Sequence, residues 1–118
     1  LTHYKVIMGT NALENIKYIK DNRIIRTKRT EYACDWHIWK NYCYTLFLII
    51  ATNSVENNEK LYYECIHNIH SKLISVIIHS ELGLKTKLKM FIQGICPVWY
   101  SKRDLKKQKA ALQADLME

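Results

Sequence analysis

The sequence predicts an all-α fold, a single-domain bundle of four to five helices around a central antiparallel helical hairpin. Three observations carry that expectation. The 118 residues include only 3 glycines and 1 proline, too few turn formers for the many reversals of a sandwich or barrel. A hydrophobic content of 48% with 25% charged residues is that of a folded domain with one core. Two segments repeat apolar residues at alternating steps of three and four, the spacing of one helix face, and a short polar stretch separates them.

Residues 1–9 read as a short strand or a loosely docked arm that stops at Gly9. A first helix is predicted from Ala12 to Lys20. Asn11 would cap it, Glu14 completes a capping box, and Leu13, Ile16 and Ile19 form its apolar stripe. Asp21–Arg29 carries Arg23, Arg26, Lys28 and Arg29 and reads as a basic connector.

The second helix is predicted to start at a Thr30 cap, with Glu31 and Asp35 placed where the helix dipole favours negative charge. Its seam is Tyr32, Trp36, Trp39, Cys43, Leu46 and Ile50. From Tyr42 onward apolar residues occupy every side, so this half is expected at the centre of the fold. Thr52–Asn58 is polar and reads as the clearest loop. The third helix is predicted from Glu59 to His79 with Tyr62, Ile66, Ile69, Leu73 and Val76 as a matching seam. Two seams of equal period joined by a short loop predict the hairpin, with Trp36 and Ile66 meeting in a dry interior.

A fourth helix is predicted from Leu84 to Gln93. Leu84, Leu88, Phe91 and Ile92 form its stripe, Lys85, Lys87 and Lys89 lie off it, and Gly94 ends it. Cys96–Tyr100 reads as an extended apolar link. A last helix starts at Ser101 with Asp104 set for a capping box; its apolar side, Leu105, Leu112 and Leu116, is thin. Residues 1–100 are thus expected to form the bundle core, and 101–118 a basic C-terminal helix able to project from it.

The net charge is +7. Residues 1–50 and 81–118 each carry eight basic and four acidic side chains, whereas 51–80 carry two and three. Such a balance favours acidic partners: nucleic acid, an anionic membrane or an acidic protein surface. No apolar run approaches the roughly eighteen residues of a spanning helix. The chain opens on Leu1 rather than methionine, as a fragment or a mature chain without its leader would, which leaves secretion open. Cys34, Cys43, Cys65 and Cys96 read as reduced, mostly buried thiols. Cys34 and Cys43 on one helix would lie about 13 Å apart, too far for a disulfide, so two pairings remain. The absence of an Asn-x-Ser/Thr sequon favours an intracellular chain.

Chemistry is thinly represented. Cys34 with His37, and His67 with His70, are i,i+3 pairs that facing helices could offer to zinc, but the two seams leave His37 and His67 outside. No CxxC, HExxH or nucleophile motif occurs, and Glu56, Glu59 and Glu64 surround a polar loop. The chain therefore reads as non-enzymatic, with no cofactor implied. Trp36, Trp39, Tyr32, Tyr62 and Tyr63 read as core, with an aromatic-walled site for an apolar ligand as the alternative.

The functional expectation is a protein–protein interaction domain, a subunit or fragment of a larger assembly. Its contact element would be Trp99, Tyr100, Lys102, Arg103, Lys106, Lys107, Lys109, Leu112 and Leu116. The same lysines with Trp99 and Tyr100 suit nucleic acid, the more so if the Arg23–Arg29 connector joins them. A third reading is a secreted bundle with two disulfides, acting as a ligand carrier or signalling protein.

Overall fold

The computed structural model describes residues 4–117. Its elements are α1 (Val6–Asp21), α2 (Lys28–Ala51), a 3₁₀ turn (Glu56–Asn58), α3 (Glu59–His79), α4 (Leu84–Ile95) and α5 (Pro97–Met117), with no strand among the described residues. The fold is an all-α bundle. None of these helices is long and apolar enough to cross a membrane.

The cap of α2 falls three residues earlier than the sequence suggests. Thr27 accepts from the Thr30 backbone N–H at 3.2 Å, and the Thr30 hydroxyl accepts from the Thr27 N–H at 3.2 Å. This reciprocal pair satisfies donors that a helix start leaves open. At the other end Asn53 takes the left-handed conformation with φ of 51°. The Ser54 N–H then reaches the Ile49 carbonyl, and the Asn53 N–H the Ile50 carbonyl, each at 3.1 Å. That is a Schellman stop with asparagine in the usual glycine position, and it turns the chain into α3.

Three pairings fix the hairpin as antiparallel. Tyr32 stacks on His79, the Trp39 indole N–H donates to the Ile69 carbonyl at 3.0 Å, and Cys65 lies close enough to Cys43 to disfavour its thiolate. The paired residue numbers add to nearly the same value each time, as opposed chains require. Trp39, Cys43 and Leu46 meet Cys65, Ile69, Leu73 and Val76 in the core. Trp36 and Ile66 do not meet at its centre; both are half-buried at its edge.

The N-terminal segment differs most from expectation. Residues 1–3 lie outside the described residues, but Val6 to Gly9 is helix rather than strand or arm, and α1 starts from Lys5 with no side-chain cap. Gly9 does not stop the helix. It lies buried against Thr45 of α2, where an added Cβ would sit 2.4 Å from the Thr45 hydroxyl and 2.9 Å from its Cα. Glycine is required here by close approach of two backbones. The Lys17 ammonium donating to the Tyr42 hydroxyl at 3.0 Å and the Lys20–Asp35 ion pair at 2.6 Å hold the rest of α1 antiparallel to α2. Leu13 is buried and Ile16 half-buried, but Ile19 is exposed.

The supposed extended link at Cys96–Tyr100 is also helix. Pro97 occupies the first position of α5, where its missing N–H costs nothing and its fixed φ suits a helix start. Ser101, expected as a cap, is instead a buried residue inside α5. Pro97 to Gln108 pack along α2, and the Tyr4 hydroxyl donates to the Gln108 amide oxygen. From Lys109 to Leu116 every side chain is exposed. This overhang accounts for a radius of gyration of 15.4 Å and a long axis of 49 Å, where a compact chain of this length gives about 13.5 Å.

Replacing a helical glycine by alanine normally stabilises a helix by about 1 kcal/mol. Gly9→Ala is expected to reverse that sign and destabilise the fold by about 1–3 kcal/mol, because the new methyl meets backbone. Gly94→Ala meets only the Leu73 side chain and is expected to cost less. Urea denaturation measures both; a gain from Gly9→Ala would show that α1 is not seated on Thr45.

Candidate functional site

Helix α4 is built the other way round from its sequence reading. Met90 and Gly94 form its buried side, and Lys87 is half-buried beside them. Gly94 sits so close to Leu73 of α3 that a Cβ would fall 2.3 Å from a leucine methyl. A small residue brings α4 onto α3, and the broad apolar stripe is left outside. Leu84 is 85% exposed and Leu88 59%, while Phe91, Ile92 and Ile95 stand in solvent beside them. By helical position Lys85 and Lys89 border this face on one side and Lys87 on the other.

The residues singled out on α5 divide into groups. Trp99 is 55% exposed, and the Arg103 guanidinium lies 5.6 Å from its ring centre. Lys102 and Lys106 join them at i+3 and i+7 from Trp99, so these four share one exposed face. Lys107 is exposed beside Arg103, four residues on from it along the same helix, and Tyr100 is half-buried against the body of the bundle. Lys109, Leu112 and Leu116 belong to the overhang. Between Leu82 and Arg103 the chain carries five cations and no carboxylate, so the outer surface of α4 and the start of α5 is uniformly basic around an apolar centre.

The Arg23–Arg29 connector does not join the α5 part of this surface. Arg23 donates to the Lys20 carbonyl and to Thr30, Arg26 to the Asp21 carbonyl, and Arg29 pairs with Glu81. Arg23 and Arg26 thus close their own loop, while Arg29 reaches the turn before α4. They stand at the start of α2, whereas Asp104 and Gln108 of α5 border a 280 Å³ cleft with Lys40 and Phe47. Lys28 and Lys40 are twelve residues apart, about 18 Å along the helix.

A second site lies where the start of α2 meets the end of α3. A cavity of about 430 Å³ is lined by Tyr32, Ala33, Trp36, His79, Ser80 and Leu82, with Arg29 and Glu81 at its rim. The Tyr32 and His79 rings stack at 3.9 Å and 13°. His79 Nδ1 is 2.9 Å from the Ser75 carbonyl, which can only accept, so the ring donates from Nδ1. Arg29 meets Glu81 through two contacts of 3.0 and 3.1 Å. Trp36 carries the Lys40 ammonium 4.5 Å from its ring centre, and its indole nitrogen is buried with no hydrogen-bond partner among the described residues. Sequence reasoning had Tyr32 and Trp36 but not His79, Arg29 or Leu82. The hairpin register, which sets 32 against 79, is the signal that would have found His79. Of the other aromatics, Trp39 is core, Tyr62 half-buried and Tyr63 exposed.

The zinc pairs do not assemble. Cys34 is half-buried, His37, His67 and His70 are exposed, and among the described residues no three His, Cys, Asp or Glu converge to hold a metal ion. All four cysteines are free thiols, so the two-disulfide arrangement is not formed. Burial pushes the Cys65 thiol up to about 12 and Cys43 higher still, with Cys65 adding to the rise at Cys43. Neither can serve as a nucleophile near neutral pH. Lys17 is raised as well, first by its hydrogen bond to Tyr42.

These shifts fix the alkaline behaviour. Unfolded thiols ionise near 9.0, and Cys65 in the folded chain near 12. A raised folded pKa gives stability that is complete below the unfolded value and lost as pH rises through the folded one. Stability is therefore expected to fall from about pH 9 upward, and the Cys43→Ala, Cys65→Ala double variant to lose part of that slope in denaturant titrations. Iodoacetamide is expected to label exposed Cys96 first and Cys43 and Cys65 only on unfolding; four equal rates would contradict the burial.

Comparison with protein-family models, with curated proteins and with solved structures found no match.

Proposed function

We propose that the chain is a non-enzymatic docking domain that binds a partner protein through the outer face of α4 and the start of α5. The observation that supports this reading is the placement of Leu84, Leu88, Phe91, Ile92 and Ile95 in solvent on one helix face. Burying one such side chain fully is worth about 1.5–3 kcal/mol, and a contiguous row of them on a small bundle is the ordinary mark of an interaction surface. The lysine border specifies the partner's chemistry: an amphipathic helix with an apolar stripe and acidic flanks, laid along α4. Contact moves from the C-terminal helix alone, as the sequence suggested, to α4 with Trp99, Lys102 and Arg103.

The nucleic-acid reading keeps one specific observation, the shared face of Trp99, Lys102, Arg103 and Lys106 on α5. An exposed indole among cations suits base stacking beside phosphates. It leaves the α4 row without a role, which is why it stands second.

The two readings separate in titrations of the full chain. The probe is a synthetic helical peptide with leucines at i, i+3, i+4 and i+7 and glutamates elsewhere. Saturable binding is expected, with Phe91→Ser plus Ile92→Ser weakening it about tenfold or more, equivalent to 1.4 kcal/mol, and an unchanged circular dichroism spectrum. Lys85→Gln, Lys87→Gln and Lys89→Gln together are expected to weaken it and flatten its salt dependence. Equal binding by wild type and the Phe91/Ile92 variant would sink the proposal. Binding only to oligothymidylate, reduced by Lys106→Glu plus Lys107→Glu, would favour nucleic acid; binding only to phosphatidylglycerol vesicles would assign the face to lipid.

Truncation provides a further check on the contact element. Removing 109–118 is expected to leave the thermal midpoint and peptide binding nearly unchanged. Removing 101–118 also strips buried Ser101 and the α2 contacts of α5, and is expected to lower the midpoint by several degrees, as a loss of about 1 kcal/mol or more requires. Loss of peptide binding on the shorter deletion would move the contact to the overhang.

A further inference from the structure

The cavity at the start of α2 is separate from the docking face and is argued without reference to it. We infer that this cavity is a binding site for a small planar aromatic molecule, apolar over its faces and polar along one edge. Its volume of about 430 Å³ lies within the range of small-molecule sites, about 300–1,000 Å³. Its walls are largely aromatic: Tyr32 and His79, stacked face to face on each other, and Trp36 all line it. Flat aromatic walls favour offset-stacked or edge-on rings over saturated, puckered groups.

Small and polar groups are placed to match. Ala33, beside Tyr32 and one turn before Trp36, lines the cavity and keeps the space open; a larger residue there would fill it. Arg29 and Glu81 bring a donor fork and an acceptor to the rim. Both side chains are mostly exposed, and ion pairs in that setting hold weakly, so the pair can part and bond a ligand edge that presents both an acceptor and a donor. Charge balances within this pair, so the class fitted is an uncharged heteroaromatic or phenolic ring system rather than a strong anion or cation. Tyr32 and Trp36 thus have a role that core packing alone does not give them: Trp36 lies at the edge of the hydrophobic cluster and Tyr32 is half-buried outside it.

The test is a ¹H–¹⁵N titration of the full chain with 2-naphthol and, in parallel, its saturated counterpart decahydro-2-naphthol. Saturable one-to-one shifts are expected at Tyr32, Ala33, Leu82 and the Trp36 indole N–H. The saturated alcohol is expected to bind about tenfold more weakly or worse. Ala33→Leu, a good helix former at an exposed position, is expected to weaken 2-naphthol about tenfold with an unchanged circular dichroism spectrum. Arg29→Gln, which touches only the rim, is expected to weaken it severalfold and decides the matter if Ala33→Leu fails to fold. The inference is overturned by any of three results: no saturable shifts, shifts centred on Leu88 and Phe91 instead, or equal affinity for the two alcohols with both variants binding as wild type.

Discussion

The structure depends on α2 being enclosed. Four consecutive residues, Leu46 to Ile49, are buried, which is possible only when a helix is covered on every side. Three neighbours do the covering: α1, α3 and the first half of α5. Each is admitted by a different local device. Gly9 lets α1 approach Thr45 backbone to backbone. The Trp39 indole N–H bonds the Ile69 carbonyl and so reaches α3 without leaving a polar atom unpaired in the core. Pro97 starts α5 at the corner from which it can run along α2.

Once α2 is covered, α4 has little left to bury against. It packs on α3 and α5 through Met90 and the bare Cα of Gly94, a narrow contact that leaves most of its circumference free. The apolar residues it carries outnumber those this contact can use. A helix placed at the edge of a finished core would ordinarily show polar residues outward. Here the outward side is the apolar one and the cations are at its margins. The bundle thus satisfies its own core without the α4 row, which stays in solvent.

The parts legible from the sequence are those whose signals are local and periodic. The bounds of α3 and the hairpin loop follow from step-of-three-and-four spacing and a polar interruption, and both are where the sequence puts them. Gly9 and the link around Pro97 differ from expectation because each residue has two meanings. A glycine ends a helix or lets one touch another, and a proline breaks a helix or begins one. Only the neighbour that arrives from elsewhere in the chain decides. The α4 stripe fails for a related reason: amphipathicity says that a face is meant to be covered, not that this chain covers it. Tyr32 and Trp36 were visible as aromatics. An aromatic-walled site was an alternative reading of them, but its place was not legible, because the cavity needs Arg29, His79, Glu81 and Leu82, brought in by register and by the turn after α3.

On the proposed docking reading, the basic rim and the apolar row on α4 would perform different physical tasks, and that difference limits what net charge can say about a partner. Charge on exposed lysines acts over a Debye length, about 8 Å at physiological ionic strength, and is screened beyond it. It gathers and orients an acidic partner of any class and chiefly raises the association rate. Apolar contact acts only at closure and is insensitive to moderate salt, so it governs how long the complex lasts. Phosphate and lipid headgroup answer the first task equally well. The second asks for a surface able to take Leu88, Phe91 and Ile92 out of water together. A nucleic-acid backbone does not offer one, whereas a helix with an apolar stripe does. The placement of these three side chains therefore discriminates among partners more sharply than the net charge of +7.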